Sequence, residues 1–117
     1  MNHRFTKQKV LFFAAALLCC SSAQAADAGA ADVLIKRNNC SKCHDISGKG
    51  KDGTPYDEIA KKYRNDAQAE AKLLTHLTTA PEVKLPNGQK DEHRIVRTTP
   101  ADDMAQIKNL IQWILSH

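Results

Sequence analysis

Six aromatic residues in 117 is few, and Phe5, Phe12 and Phe13 all fall near the start of the chain. Beyond residue 25 only Tyr56, Tyr63 and Trp113 remain, so a domain built there is short of the large rings that usually dominate a small core. The chain also lacks an apolar run of the roughly 20 residues needed to span a bilayer. Its longest, VLFFAAALLCC at positions 10–20, falls well short. Alternating apolar and polar residues, the mark of strands, are almost absent. So are internal repeats, low-complexity tracts and any nucleophile–base grouping, which argues against an enzyme acting alone.

A charge of one sign is missing too, once the first residues are set aside. Arg4, Lys7 and Lys9 belong to the opening segment; without them 14 basic residues face 13 acidic ones, a formal net charge of +1. Nothing in that balance calls for nucleic acid as a partner.

The opening itself has the layout of an export signal: basic residues, then the apolar run, then Ala23-Gln24-Ala25 as a small-x-small cleavage site. Residues 1–25 are therefore predicted to be a cleaved secretory signal peptide, leaving 92 residues. Cys19 and Cys20 would be lost with it. A lipoprotein cysteine is the alternative, but such a cysteine follows a small residue, and here the preceding residue is Leu18 or Cys19.

The remaining chain reads as a short tail, 26–31, and one domain, 32–117. Asp32 is a candidate cap for a first helix, VLIKRNN, with Val33, Leu34 and Ile35 as its apolar face. SGKGKDGTP is a solvated loop. Tyr56, Ile59 and Tyr63 are spaced as on a second helix, and AQAEAKLLTHLTTA makes a third, stopped by Pro81. Pro86-Asn87-Gly88 forms a turn, closing a small hairpin or a compact loop. A last helix is expected from Thr99 as cap and Pro100 as first residue, with Met104, Ile107, Leu110, Ile111 and Ile114 as its buried stripe. The fold class is all-α.

Against that background stands NNCSKCHDI at positions 38–46. A disulfide between Cys40 and Cys43 would close a loop too small to stabilise much. A thioredoxin-like dithiol needs a βαβ setting, and zinc needs two more ligands at closer spacing than His76 and His93 provide. C-x-x-C-H is instead the signature of c-type haem attachment. Two thiols at this spacing add to the two vinyl groups on one porphyrin edge, and the adjacent His44 reaches the iron from one face. Export fits, since such attachment takes place outside the reducing cytoplasm. A large flat cofactor would also occupy the centre that few aromatics fill.

On these residues the chain resembles the small bacterial class I cytochromes c over essentially all of 32–117. The shared features are a helix ending in C-x-x-C-H, a Gly-rich loop leading to Gly53-Thr54-Pro55-Tyr56, a middle helix, and a last helix reading I-x-x-L-I-x-W-I-L. The resemblance implies about four short helices around one covalently bound haem c, with Cys40 and Cys43 as thioethers and His44 as proximal iron ligand. It implies that the first and last helices cross, Val33 and Leu34 meeting Leu110, Trp113 and Ile114. It implies further that the Pro55 carbonyl accepts a hydrogen bond from His44, and that the protein is a periplasmic monomer.

The resemblance breaks at the sixth ligand. Relatives use a methionine on the loop before the last helix, where this chain reads KDEHRIVRTTP. His93 is the capable donor there and is expected to be the distal ligand. Met104, the alternative, reads as a core residue of the last helix. His76 reads as bordering the core and His117 as exposed. Arg94 and Arg97 suit either haem propionates or the surface.

Electron transfer between transient periplasmic redox partners is the leading function, with the haem-attachment machinery as a partner during maturation. A small-gas binder or sensor, should His93 be loosely held, and an electron-transfer subunit of a larger oxidoreductase are the alternatives.

Overall fold

The computed structural model describes residues 25–117. The rest of the predicted leader, including Cys19 and Cys20, lies outside the described residues. Among the described residues four helices, one 3₁₀ turn and a two-stranded hairpin follow in order: α1 (Ala28–Arg37), the turn at Cys40–Lys42, α2 (Tyr56–Tyr63), α3 (Ala69–Thr78), β1 (Glu82–Lys84), β2 (Lys90–Glu92) and α4 (Met104–Leu115). Among the described residues no helix is long and apolar enough to cross a membrane.

The first helix begins earlier than its sequence pattern suggests, and residues 28–31 are helical rather than a tail. Asp27, not Asp32, is the cap: its carboxylate accepts from the Ala30 amide at 3.0 Å. Asp32 sits within the helix and pairs with Lys36 at 2.6 Å. The early start is held from across the domain. The Asp27 amide donates to Asn109 Oδ1 at 2.8 Å, and Asn109 Nδ2 donates to the Asp27 carbonyl at 2.9 Å. Ala31, expected in the tail, is fully buried, whereas Val33 is 55% exposed and takes no part in the helix crossing. The buried face of α1 is instead Ala31, Leu34 and Ile35.

The last helix also starts elsewhere than expected. Its cap is Asp103, whose carboxylate accepts from the Gln106 amide at 3.1 Å. Thr98, Thr99 and Pro100 form a separate turn. Thr98 Oγ1 donates to the Pro100 carbonyl and accepts from the Asp103 amide, and Asp102 has a left-handed φ of 57°. That conformation cannot lie inside a right-handed helix, so Met104 becomes the first helical residue. Met104 is 44% exposed, which corrects its reading as a core residue. At the very end of the helix it projects past the elements that cover Ile107, Leu110, Ile111 and Ile114, all buried.

Helix α4 packs against α1, α2 and α3, with Leu110 and Ile111 as the largest fully enclosed side chains. Tyr56, Leu73, Leu77 and Val96 complete the core from the other elements. The hairpin expected around Pro86-Asn87-Gly88 is present, antiparallel with Val83 opposite Asp91, and Gly88 adopts the positive φ that the turn needs. Its ends are tied to the domain by bonds from the His93 amide to the Pro81 carbonyl and from the Val96 amide to the Leu77 carbonyl, each 2.9 Å.

Candidate functional site

Helix α1 has to end abruptly for its two cysteines to turn inward. Asn38 and Asn39 do this. The Asn38 amide side chain bonds the Leu34 and Arg97 carbonyls and accepts from the Arg97 amide, while Asn39 takes a left-handed φ of 52°, which asparagine tolerates well. The chain then makes one tight turn in which the amides of Cys43 and His44 both donate to the Cys40 carbonyl, at 3.1 and 3.0 Å. Cys40 and Cys43 are half-buried free thiols with no disulfide. Burial raises the pKa of Cys40 above its ordinary value, so it rests as the thiol.

His44 is held by three neighbours. Its Nδ1 donates to the Thr54 carbonyl at 2.7 Å, which sets the tautomer and leaves Nε2 free as a lone-pair donor. Its ring stacks on Tyr56, centroids 5.5 Å apart and planes 20° from parallel. Gly53 lies against the same Nδ1–Cε1 edge: a Cβ there would sit 2.6 Å from His44 Cε1 and 2.7 Å from Nδ1. The acceptor is therefore Thr54 and not Pro55, as the resemblance implied. The Pro55 carbonyl is engaged in the first turn of α2, accepting from the Ile59 amide at 3.0 Å. Buried Pro55 serves instead to start that helix.

Opposite His44 stands His93. Its ring centroid is 6.1 Å from that of His44, and its Nδ1 donates to the backbone carbonyl of Arg94 at 2.9 Å. His93 thus has the same tautomer as His44, with Nε2 uncommitted. His76 of α3 is the third member, 4.4 Å from His93 between ring centroids. Burial lowers the pKa of both His76 and His93, and the neighbouring imidazoles lower that of His76 further, so both favour the neutral, donating form. Three histidines from three segments meet at one place. Met104 is exposed at the start of α4 and His117 bonds back to the Trp113 carbonyl at 2.9 Å.

Cys40, Cys43, His44 and His93 are candidates that the sequence marks, whereas it gives no sign of Gly53, Thr54 or the place of His76. A carbonyl acceptor has no residue signature. The spacing of His76, three residues from Leu73 and one from Leu77, suggested only the border of the core. Arg94 borders a cleft of about 510 Å³ beside Ile35, Asn39 and Ser41. Arg97 is exposed, and its main chain secures Asn38.

Comparisons with known proteins bear on the family and the fold. The sequence matches the Cytochrome c family over residues 28–117. Among solved structures it is similar to the class 1 cytochrome MtoD from Sideroxydans lithotrophicus ES-1, at 44% identity and a TM-score of 0.71, over 79% of this chain and 97% of that one. It is also similar to wild-type cytochrome c552 of Nitrosomonas europaea, at 28% identity and a TM-score of 0.54, over 73% and 96% of the two chains. No curated protein sequence matches. A helix delivering two unpaired thiols and an oriented imidazole, in a domain with this backbone, fits a single covalently bound haem c, and the chain belongs to the cytochrome c family with the class I fold.

Proposed function

We propose that the protein is a periplasmic carrier of single electrons whose haem is bonded through Cys40 and Cys43, with His44 and His93 as the two axial ligands of its iron. One observation carries the ligand assignment. Both imidazoles direct Nδ1–H to a backbone carbonyl, keeping both Nε2 lone pairs for a metal, and their centroids lie 6.1 Å apart. Two metal–imidazole bonds of about 2 Å each, with a ring radius added at either end, span about that distance.

The haem supplies a one-electron couple; the chain determines how it is held. The Thr54 carbonyl orients the His44 ring and raises its donor strength, and the Arg94 carbonyl does the same for His93. Tyr56 and the core behind it keep water from one side of the His44 ring. With His44 and His93 both holding the iron, no position would be left for a substrate, which supports a carrier over an enzyme. His93 is tied to Pro81 through its own amide and to Arg94 through its ring, which supports it as the resident distal ligand. Two imidazoles donate more strongly than an imidazole and a thioether, so the potential lies below that of a methionine-ligated relative. The predicted leader, cut after Ala25, supports export; Asp27 would remain to cap α1.

Ferric absorption and electron paramagnetic resonance of the holoprotein test the ligand set. The weak far-red absorption of a methionine–iron bond is expected to be absent from the wild type and to appear in His93→Met, together with a higher potential. A far-red band in the wild type would place Met104 on the iron, and an unchanged spectrum in His93→Met/His76→Ala, where no neighbouring imidazole can take the place, would remove residue 93 from it.

A further inference from the structure

The ligand set accounts for two of the three histidines that converge here, and leaves His76 without a role. We infer that His76 is a reserve axial ligand, held in place to take the distal position of the iron whenever His93 leaves it. This rests on the proposed ligation by His93.

Distance is the first argument. The His76 ring lies 4.4 Å from that of His93, tilted by 55°, close enough that a movement of about one ring width exchanges them. Availability is the second. The rings of His44, His93 and His117 all hold a backbone carbonyl through Nδ1, whereas no hydrogen bond from the described residues engages the ring of His76. It neither supports a neighbour nor is supported, as a donor kept for another purpose would be.

The third argument is the difference between the two supports. His76 projects from α3, between Leu73 and Leu77, both buried in the core, so its backbone is rigid. His93 follows β2, a strand with all three residues exposed, and leads into an irregular stretch in which Arg94 and Ile95 are exposed. Of the two, His93 is the one placed to swing away. A tethered imidazole this close acts at an effective concentration of millimolar or more, ahead of any diffusing ligand of ordinary abundance. Met104, the other internal donor, has no ring or core contact bringing it to this cluster and is 44% exposed at the start of α4.

The test uses mature holoprotein of the wild type, His76→Ala, His93→Ala, His93→Phe and His93→Ala/His76→Ala. Ferric spectra report spin state and ligand type, and titration with free imidazole reports the vacancy. We expect the two His93 variants to stay low-spin with nitrogen ligation, the double variant to become high-spin, and imidazole to bind the double variant at least about tenfold more tightly than His93→Ala. High-spin iron in both His93 variants, or a methionine band in either, overturns the proposal. If His76→Ala becomes high-spin while His93→Ala does not, His76 is the resident ligand, and both this inference and the ligation it rests on fail. A second measurement needs no change at His93. Carbon monoxide is expected to capture the ferrous iron of His76→Ala several-fold faster than that of the wild type, because nothing then competes for a vacated position. Equal rates overturn the proposal.

Discussion

Replacing Gly53 with alanine tests how tightly the proximal imidazole is held. The added methyl carbon would lie 2.6 Å from His44 Cε1, 2.7 Å from Nδ1 and 3.0 Å from the Cys43 carbonyl. Ordinary contacts begin near 3.4 Å, so ring and residue must separate by about 0.8 Å. Neither side gives easily. The Gly53 amide is bonded to the Cys43 carbonyl at 2.8 Å and the His44 ring to the Thr54 carbonyl at 2.7 Å. Overpacking of this kind costs about 1–3 kcal/mol, and loss of the imidazole–carbonyl bond adds about 1 kcal/mol. For a domain of this size about 2–4 kcal/mol corresponds to a fall in Tm of roughly 10–20 °C. A weaker bond to Thr54 also makes His44 a poorer donor, so the potential rises. Thermal melts by circular dichroism and voltammetry of the ferric holoprotein read both effects. Gly29→Ala is the companion, since its Cβ would meet only Asp27 Oδ1 at 3.4 Å within α1; there alanine is neutral or stabilising by up to about 1 kcal/mol. A Gly53→Ala protein that melts within a few degrees of the wild type, at the same potential, would refute the tight fit around His44.

Three further outcomes follow from the fold. Asp27→Ala removes the cap of α1 and is expected to cost about 1 kcal/mol in denaturant melts, although Asp32 lies nearby as the apparent cap in the sequence. Ile111→Ala opens a void at a fully enclosed position on α4 and is expected to destabilise by about 2–5 kcal/mol, read from urea midpoints. Asp103 is held below the usual carboxylate pKa, first by the Gln106 amide. Its contribution is therefore complete above the unfolded-state pKa near 4 and is lost as the pH falls through its lower folded value. Asp103→Asn keeps the cap but is expected to flatten the acid limb of a stability–pH curve.

The helices were legible because their apolar positions recur with helical spacing, and α4 shows how far that signal reaches. Ile107, Leu110, Ile111 and Ile114 are buried as the stripe implies. The same stripe extended to Met104 misleads, because periodicity marks a face and not the length over which partners cover it. Caps were less legible. Asp27 and Asp32, or Thr99 and Asp103, are chemically comparable candidates, and the choice between them is made by Asn109 and by the left-handed Asp102, both tertiary matters. At the site, the linear motif C-x-x-C-H carries its meaning locally and was read directly. His76 and His93 are 17 positions apart, and their meeting depends on a hairpin and on the bonds that fold it back to Pro81 and Leu77. Likewise the displacement from Pro55 to Thr54 follows from α2 claiming the Pro55 carbonyl for its own first turn.

The reciprocal bonds between Asp27 and Asn109 join positions 82 apart. They hold the start of α1 against the middle of α4, so the first turn of the domain reaches its final place only once its last helix has formed.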